Sequence, residues 1–312
     1  MTRDAIRIGV DLGGTKIEAI ALDAAGETLA RRRIATPADD YAAIIDAVAT
    51  LVRDIESNIG RRGVVGVGAP GAISTHTGLV KNSNTAVVNG KPLDVDLAQA
   101  LGRPVRVAND ANCFALSEAI DGAGRGAGVV FGVILGTGVG GGVIVNGKIL
   151  EGRNRVAGEW GHTPLPWMTP QEYPGEPCFC GHSGCVETFL CGAGLSRDYE
   201  KRAGARRLAS DIAALADGGE AVARASLDCY QDRLSRALAV VVDLIDPDVI
   251  VLGGGLSNIS RIYDGLAARV GENAVTDAFD TKILPNAHGD SGGVRGAAWL
   301  WGRRRGRMSW TY

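Results

Sequence analysis

Four side chains suited to a soft metal ion stand close together in this sequence: His162, Cys178, Cys180 and Cys185. Thiolate sulfur and imidazole nitrogen are the usual partners of tetrahedral Zn²⁺, and four protein ligands leave no open position, so the metal chemistry implied is structural. Gly181 and Gly184 let the backbone turn tightly enough for three sulfurs to reach one ion. His182 is a competing imidazole, but it sits inside the tight loop and ranks below His162. Two carboxylates bracket the group: Glu159 precedes the histidine and Glu187 follows the last cysteine. A metal clip in that place would fix two acids in space. Carboxylates and amides each bridge adjacent hydroxyls, and Glu159, Glu187, Asn109 and Asn84 form a set suited to a polyol. Taken singly, Glu187 also reads as a surface residue and Asn84 as a turn residue.

A second set is built on glycine. Asp11-Leu12-Gly13-Gly14-Thr15-Lys16 and Leu135-Gly136-Thr137-Gly138 each join two apolar runs, as hairpin tips do. Glycines there let backbone N–H groups approach phosphate oxygens, and Thr15 and Thr137 add hydroxyl donors. Lys16 offers a point charge, and Asp11 stands where a carboxylate would hold Mg²⁺ directly or through water. A further turn, Gly253-Gly254-Gly255, follows another buried run. Neither hairpin has the Walker spacing. Gly136, Gly138 and Gly141 lead into an apolar strand rather than the helix that a dinucleotide fingerprint requires. One nucleotide lying between two domains accounts best for all three turns. Asp110, at the end of a strand and beside Asn109, is the candidate general base, since phosphoryl transfer to an alcohol needs an acceptor for the hydroxyl proton. The same Asn109-Asp110 pair would also serve as the cap of a helix beginning near Ala111.

Hydrophobic periodicity supplies the elements that hold these groups. Ile6–Val10 and Ile17–Leu22 read as the strands of the first hairpin, and Val64–Val67 as a buried strand ending in Gly68-Ala69-Pro70-Gly71. Val105–Ala108 is a strand that delivers Asn109 and Asp110, and a helix continues over Cys113–Ala119. The pattern then restarts, with strands at Val129–Leu135 and Val143–Val145, a glycine turn over residues 136–142, and a buried strand at Val249–Leu252. Helical spacing marks Tyr41–Ile55, Leu93–Leu101, Ala209–Leu215, Ala221–Ile245 and a last, small-residue helix near Gly293–Trp301. Two polar hairpins in one chain suggest two related halves.

The chain has 312 residues, room for two medium domains. Its 33 basic and 35 acidic residues balance, which removes the electrostatic case for nucleic acid or membrane as a general partner. The basic tail Arg303–Arg307 reads as a solvated end. With three cysteines assigned to zinc, Cys113, Cys191 and Cys229 read as reduced thiols of a cytoplasmic protein. The first apolar run reaches Asp11 too soon for a signal peptide, and no run approaches a membrane span.

The order of motifs resembles one family. Asp11–Lys16, Ala69-Pro70-Gly71, Asn109-Asp110, Leu135–Gly138, Glu159-Trp160-Gly161-His162, the Cys178–Cys185 clip and Gly253–Gly255 together are similar to the ROK family of bacterial sugar kinases and repressors, over nearly the whole chain. Within it, Lys81–Asn84, Gly161–Met168, Glu187-Thr188-Phe189, Asp246–Gly255 and His288–Trp301 most resemble fructokinases of the mannofructokinase type. The resemblance implies an actin-like (ribonuclease H-like) ATPase fold. Two α/β domains would flank a cleft, one of residues 1–118 with 290–312 and the other of residues 119–289 carrying the zinc clip. It implies ATP and Mg²⁺ as co-substrates and usually a homodimer. Nucleotide would contact Asp11, Gly13, Gly14, Thr15, Lys16, Gly136, Thr137, Gly138, Gly254 and Gly255. Asp110 would deprotonate the 6-hydroxyl of a hexose, with Asn84, Asn109, Glu159, His162 and Glu187 as sugar contacts. The activity expected is conversion of fructose to fructose 6-phosphate. N-acetylglucosamine kinase or glucokinase is the alternative within the family, and a non-catalytic sugar sensor the alternative of another class. A repressor would need a helix-turn-helix domain ahead of the first strand, and a strand at Ile6 leaves no room for one.

Overall fold

The structure, a computed structural model, describes residues 6–83 and 85–302. Asn84 and the basic tail Arg303–Arg307 lie outside the described residues. The chain forms two compact units. The first takes in the described residues up to Ser117, the short segment Gly152–Arg155 and the described residues from Ser291 onward. The second takes in Glu118–Glu151 and Val156–Asp290.

The first unit is built on β1 (Ile6–Leu12), β2 (Lys16–Leu22), β3 (Thr28–Ala35), α1 (Tyr41–Ile59), β4 (Gly63–Ala69), a small ribbon of β5 (Ala72–Ile73) and β6 (Val80–Lys81), α2 (Leu93–Leu101) and β7 (Val105–Asn109). α3 (Asp110–Asp121) follows β7 without a break. The main sheet has the order β3-β2-β1-β4-β7. The β1–β2–β3 side is antiparallel, and β4 and β7 run parallel to β1. Parallel neighbours need crossovers, which α1 and α2 provide. α1 starts where Asp40 accepts hydrogen bonds from the Ala42 and Ala43 N–H groups, and it stops at Gly60, whose φ of 67° suits glycine. It buries Ile44, Val48, Val52 and Ile55 completely against the sheet, each worth about 1.5–3 kcal/mol.

The opposite face of β1 and β4 is covered by the helix Gly292–Trp299. A Cβ on Gly9 would lie 2.0 Å from the Val294 carbonyl oxygen, and one on Gly66 would lie 1.9 Å from that of Ala297. Gly296 in turn meets the Cys113 carbonyl, at 1.6 Å from a built Cβ. The small residues of the last helix are therefore there to let backbones touch.

The second unit repeats the plan. Its sheet has the order β10-β9-β8-β11-β12, with β8 (Val129–Leu135), β9 (Val139–Val145), β10 (Lys148–Ile149), β11 (Val249–Gly253) and β12 (Lys282–Pro285). Again the hairpin side is antiparallel and the last two strands run parallel to the central one. Helices α4 (Val186–Leu190), α5 (Gly192–Ala203), α6 (Ala209–Asp217), α7 (Ala221–Ile245) and α8 (Leu266–Asn273) complete the unit. The long α7 buries Leu227, Tyr230, Leu234 and Leu238 in the core. Among the described residues, no helix is long and apolar enough to cross a membrane.

Four local expectations change. The run 136–142 is a turn only as far as Gly138, because β9 begins at Val139 and pairs Gly140, Gly141 and Gly142 with Ile134, Val133 and Gly132. α1 extends to Ile59 and the last helix ends at Trp299. The helix after β7 begins at Asp110 itself rather than near Cys113.

Candidate active site

In the first unit, β1 and β7 bring Asp11 and Asp110 to the carboxyl end of the parallel part of the sheet, where open α/β sheets bind ligands. Asp11 lies in one row across the sheet with Glu18 on β2 and Arg33 on β3. Arg33 meets the buried Glu18 carboxylate at 2.6 Å, which offsets that charge. Desolvation raises the Asp11 carboxyl to about 6, helped by Asp110 and Glu18 and opposed by Lys16 and Arg33. An acid so strained when ionised is suited to a divalent cation. The β1–β2 tip closes with the Gly13 N–H donating to the Lys16 carbonyl at 3.0 Å. Thr36 straps it from outside, Oγ1 donating to the Gly13 carbonyl at 2.7 Å and N–H to that of Thr15 at 3.1 Å. Gly14 and Thr15 remain exposed.

Asn109 and Asp110 divide their work. The Asn109 Oδ1 accepts from the Ala111 and Asn112 N–H groups, capping α3, while Nδ2 donates to the Gly71 carbonyl at 3.2 Å. Asp110 is the first residue of α3 and accepts from the Ala111 N–H at 2.8 Å. A carboxylate at a helix N-terminus faces favourable partial charge.

In the second unit, the β8–β9 tip closes with the Gly136 N–H donating to the Gly138 carbonyl at 3.0 Å. Nothing lies within 4 Å of a Cβ built on Gly136 or Gly255, so both backbones face open space. Gly254 is glycine for another reason: its φ is 82° and a Cβ would lie 2.4 Å from the Leu135 carbonyl oxygen. The glycines inside β9 serve the loop that carries Glu159 and His162. A Cβ on Gly158 would lie 2.4 Å from the Gly141 carbonyl, and one on Gly161 2.2 Å from that of Val139. The Trp160 indole N–H donates to the Gly140 carbonyl at 2.9 Å, and its ring meets Phe131 edge-on. The loop is thus fastened to the strand backbone.

The ligating atoms of His162, Cys178, Cys180 and Cys185 all lie within 4.8 Å of one another. Cys178 Sγ stands 3.5 Å from His162 Nδ1, and Cys180 Sγ stands 3.6 Å from Cys185 Sγ. With zinc–sulfur bonds of about 2.3 Å, a tetrahedron has edges of about 3.8 Å. The four residues fit a zinc ion. His182 lies 3.7 Å from Cys180 and stands outside the quartet. Hydrogen bonds from the His182 backbone and ring lower the Cys180 thiol to about 6, whereas burial and the neighbouring thiols push Cys185 up to about 12. A bound cation would draw all three to thiolates. Cys185 is also the residue before α4, and Val186 N–H donates to the Thr163 carbonyl, so the clip leads straight into Glu187. The Glu187 Oε2 accepts the Val139 N–H at 2.9 Å.

Sequence reasoning missed the brace behind the clip. Arg236, on the buried face of α7, donates to the carbonyls of Pro166 and Trp167 at 2.6 and 3.1 Å and to the Glu172 carboxylate at 2.8 Å. Arg233 also holds Glu172, at 2.8 Å. Burial opposes ionisation of Glu172, but Arg233, the Thr169 N–H and Arg236 outweigh it and hold its carboxyl below the usual range. Arg236 falls between the apolar positions Leu234 and Leu238, so the spacing of α7 gave no signal for it.

A sequence model described as ROK family matches residues 7–304. The N-acetyl-D-glucosamine kinase of Vibrio cholerae serotype O1 is 44% identical over 296 residues, covering 94% of this chain and 98% of the relative. Among solved structures, a ROK hexokinase from Thermus thermophilus superposes with a TM-score of 0.83 at 30% identity, covering 94% of this chain and 96% of the other. A ROK family glucokinase from Streptomyces griseus, solved with glucose and AMPPNP, gives 0.75 at 30% identity over 95% and 99% of the two chains. The shared fold is the actin-like ATPase fold, with mixed α/β sheets in two domains.

Proposed function

The chain belongs to the ROK family, and we propose that it is an ATP-dependent sugar kinase that phosphorylates the 6-hydroxyl of N-acetyl-D-glucosamine. The observation that carries the substrate is the 44% identity to an N-acetyl-D-glucosamine kinase over 94% of the chain. This replaces fructose, the main expectation from the motifs, with the alternative named beside it. The motifs themselves serve any hexose, because ketoses and aldoses present the same primary 6-hydroxyl to a base.

In this reading the Asp110 carboxylate takes the proton of the 6-hydroxyl. The hydroxyl oxygen forms its bond to the γ-phosphorus as the bond to the leaving ADP oxygen breaks. Glu159, His162, Glu187 and Asn109 bind the sugar. The Gly13–Lys16 and Gly136–Gly138 tips, with Gly254 and Gly255, offer backbone N–H groups to nucleotide. Asp11 would hold Mg²⁺, which neutralises phosphate charge. His162, Cys178, Cys180 and Cys185 would hold zinc, whose contribution is to fix the loop carrying Glu159 and the helix carrying Glu187.

A coupled ADP-release assay over N-acetylglucosamine, glucose, mannose and fructose with MgATP tests the proposal. The expected result is the highest kcat/KM for N-acetylglucosamine. A clear preference for another hexose overturns the substrate, and no turnover with any sugar overturns the kinase. Metal analysis of the purified protein should find one zinc per chain, and Cys178→Ser should lower both zinc content and sugar affinity.

A further inference from the structure

Glu187 is bound to the wrong partner for a residue that only holds sugar. Its Oε2 accepts a hydrogen bond from the Val139 N–H, the residue that ends the β8–β9 tip. A Cβ built on Gly138 would lie 2.6 Å from that same oxygen, so the absence of a side chain at 138 is what lets the carboxylate reach the backbone. The other side of the tip is tied to the same helical region, with the Gly192 N–H donating to the Gly136 carbonyl at 2.9 Å. The second oxygen, Oε1, has no hydrogen-bond partner among the described residues, and the side chain is partly exposed.

We propose that Glu187 is a positioning residue for the nucleotide tip as well as a sugar contact, and that it couples the two substrates through one carboxylate. The inference rests on the kinase reading above, in which residues 136–138 contact nucleotide. Oε2 holds the tip in the shape that presents the Gly136–Gly138 backbone, and Oε1 faces the sugar hydroxyl. A sugar that fixes the Glu187 rotamer removes freedom from Val139 and hence from the tip. A nucleotide that orders the tip holds Glu187 ready for sugar, and the two effects are equal by linkage. Both contacts lie inside the second unit, on a helix that begins directly after Cys185.

Three variants separate the roles. Glu187→Gln keeps an acceptor for the Val139 N–H, Glu187→Ala removes it, and Glu159→Ala removes a sugar contact whose side chain makes no hydrogen bond to the tip among the described residues. Binding of the non-hydrolysable analogue AMPPNP is titrated by calorimetry with and without N-acetylglucosamine, after circular dichroism and melting confirm folded protein. In wild type, sugar should tighten nucleotide binding about five- to fiftyfold. Glu187→Ala should weaken nucleotide binding by a similar factor even without sugar, and should abolish the coupling. Glu187→Gln should bind nucleotide alone within about twofold of wild type, because its amide oxygen still accepts the Val139 N–H, a rescue that a role depending on the negative charge would not predict. Glu159→Ala should lose sugar affinity and leave nucleotide affinity alone unchanged. Wild-type affinity for nucleotide alone in Glu187→Ala overturns the proposal and leaves the kinase standing. A wild-type protein that binds no nucleotide overturns both.

Discussion

The two glycine tips are copies of one device that hold their shape by different means. Both join the central strand of a five-stranded mixed sheet to its antiparallel neighbour, and both close on their own backbone. The first carries its charge within the hairpin, with Asp11 on the way in and Lys16 on the way out, and is strapped by the neutral Thr36. The second has apolar Leu135 and Val139 on either side and takes its carboxylate from elsewhere, as Glu187 on α4. A tip with a built-in acid suits a metal ion at fixed position. A tip with a borrowed acid can respond to whatever else that acid binds. The two units share the strand plan and differ in where the acid is mounted.

The sharpest way to break this comparison is to remove ionisable chemistry from the first unit. Asp110→Asn should lower kcat roughly 10²–10⁴-fold while KM for sugar stays within a few-fold. Turnover near the wild-type rate would take Asp110 out of the base role. Asp11→Asn should give the next effect, and in opposite directions on activity and stability. The folded value of about 6 lies above the ordinary 3.8, so the stability linked to Asp11 is present below about pH 3.8 and lost as pH rises through 6. The variant should therefore melt higher than wild type at pH 7 without magnesium or nucleotide, by about 1–3 kcal/mol, with the gap closing towards pH 4. A variant that melts lower at pH 7 would mean the carboxylate is structurally needed there.

Smaller changes address the tips themselves. A Cβ at Gly138 meets the Glu187 carboxylate at 2.6 Å, whereas one at Gly14 meets only Thr85 Oγ1 at 3.5 Å. Gly138→Ala should cost about 1–2 kcal/mol in chemical denaturation and Gly14→Ala less than about 0.5 kcal/mol. Equal costs would erase the distinction between a borrowed and a built-in acid. Between those two, Thr36→Val loses one hydrogen bond to Gly13 and should cost about 0.5–1.5 kcal/mol by the same measurement.

Much of the site was legible because its chemistry is local in sequence. The cysteine spacing marks the clip, and apolar runs that stop at polar glycine clusters mark the tips. The strand Val105–Asn109 places Asp110 whether or not its neighbours are known. What was hidden depends on contacts distant in the chain. Gly140–Gly142 look like a loop until the segment 158–161 is seen resting on them. β3 is an edge strand of mostly exposed side chains including Arg31, Arg32 and Arg33, so it carries no apolar alternation, and charges of that kind protect a sheet edge from pairing. α4 and α5 hide behind Gly192 and Gly194, and the Arg236–Glu172 brace looks like ordinary surface charge. The substrate proposed above was obscured for a different reason: the residues proposed to act on it would serve any hexose that offers a primary 6-hydroxyl.

The close seam of Gly9, Gly66 and Gly296 bears on how the molecule is made. β1, with Asp11 near its end, leaves the ribosome long before the helix that covers its face. Residues 118–151 and 156–290 can collapse around their own core while that face is still bare. The half with the cysteine–histidine cluster is thus complete before the half with Asp11 and Asp110, which must wait, partly assembled, for its covering helix to arrive.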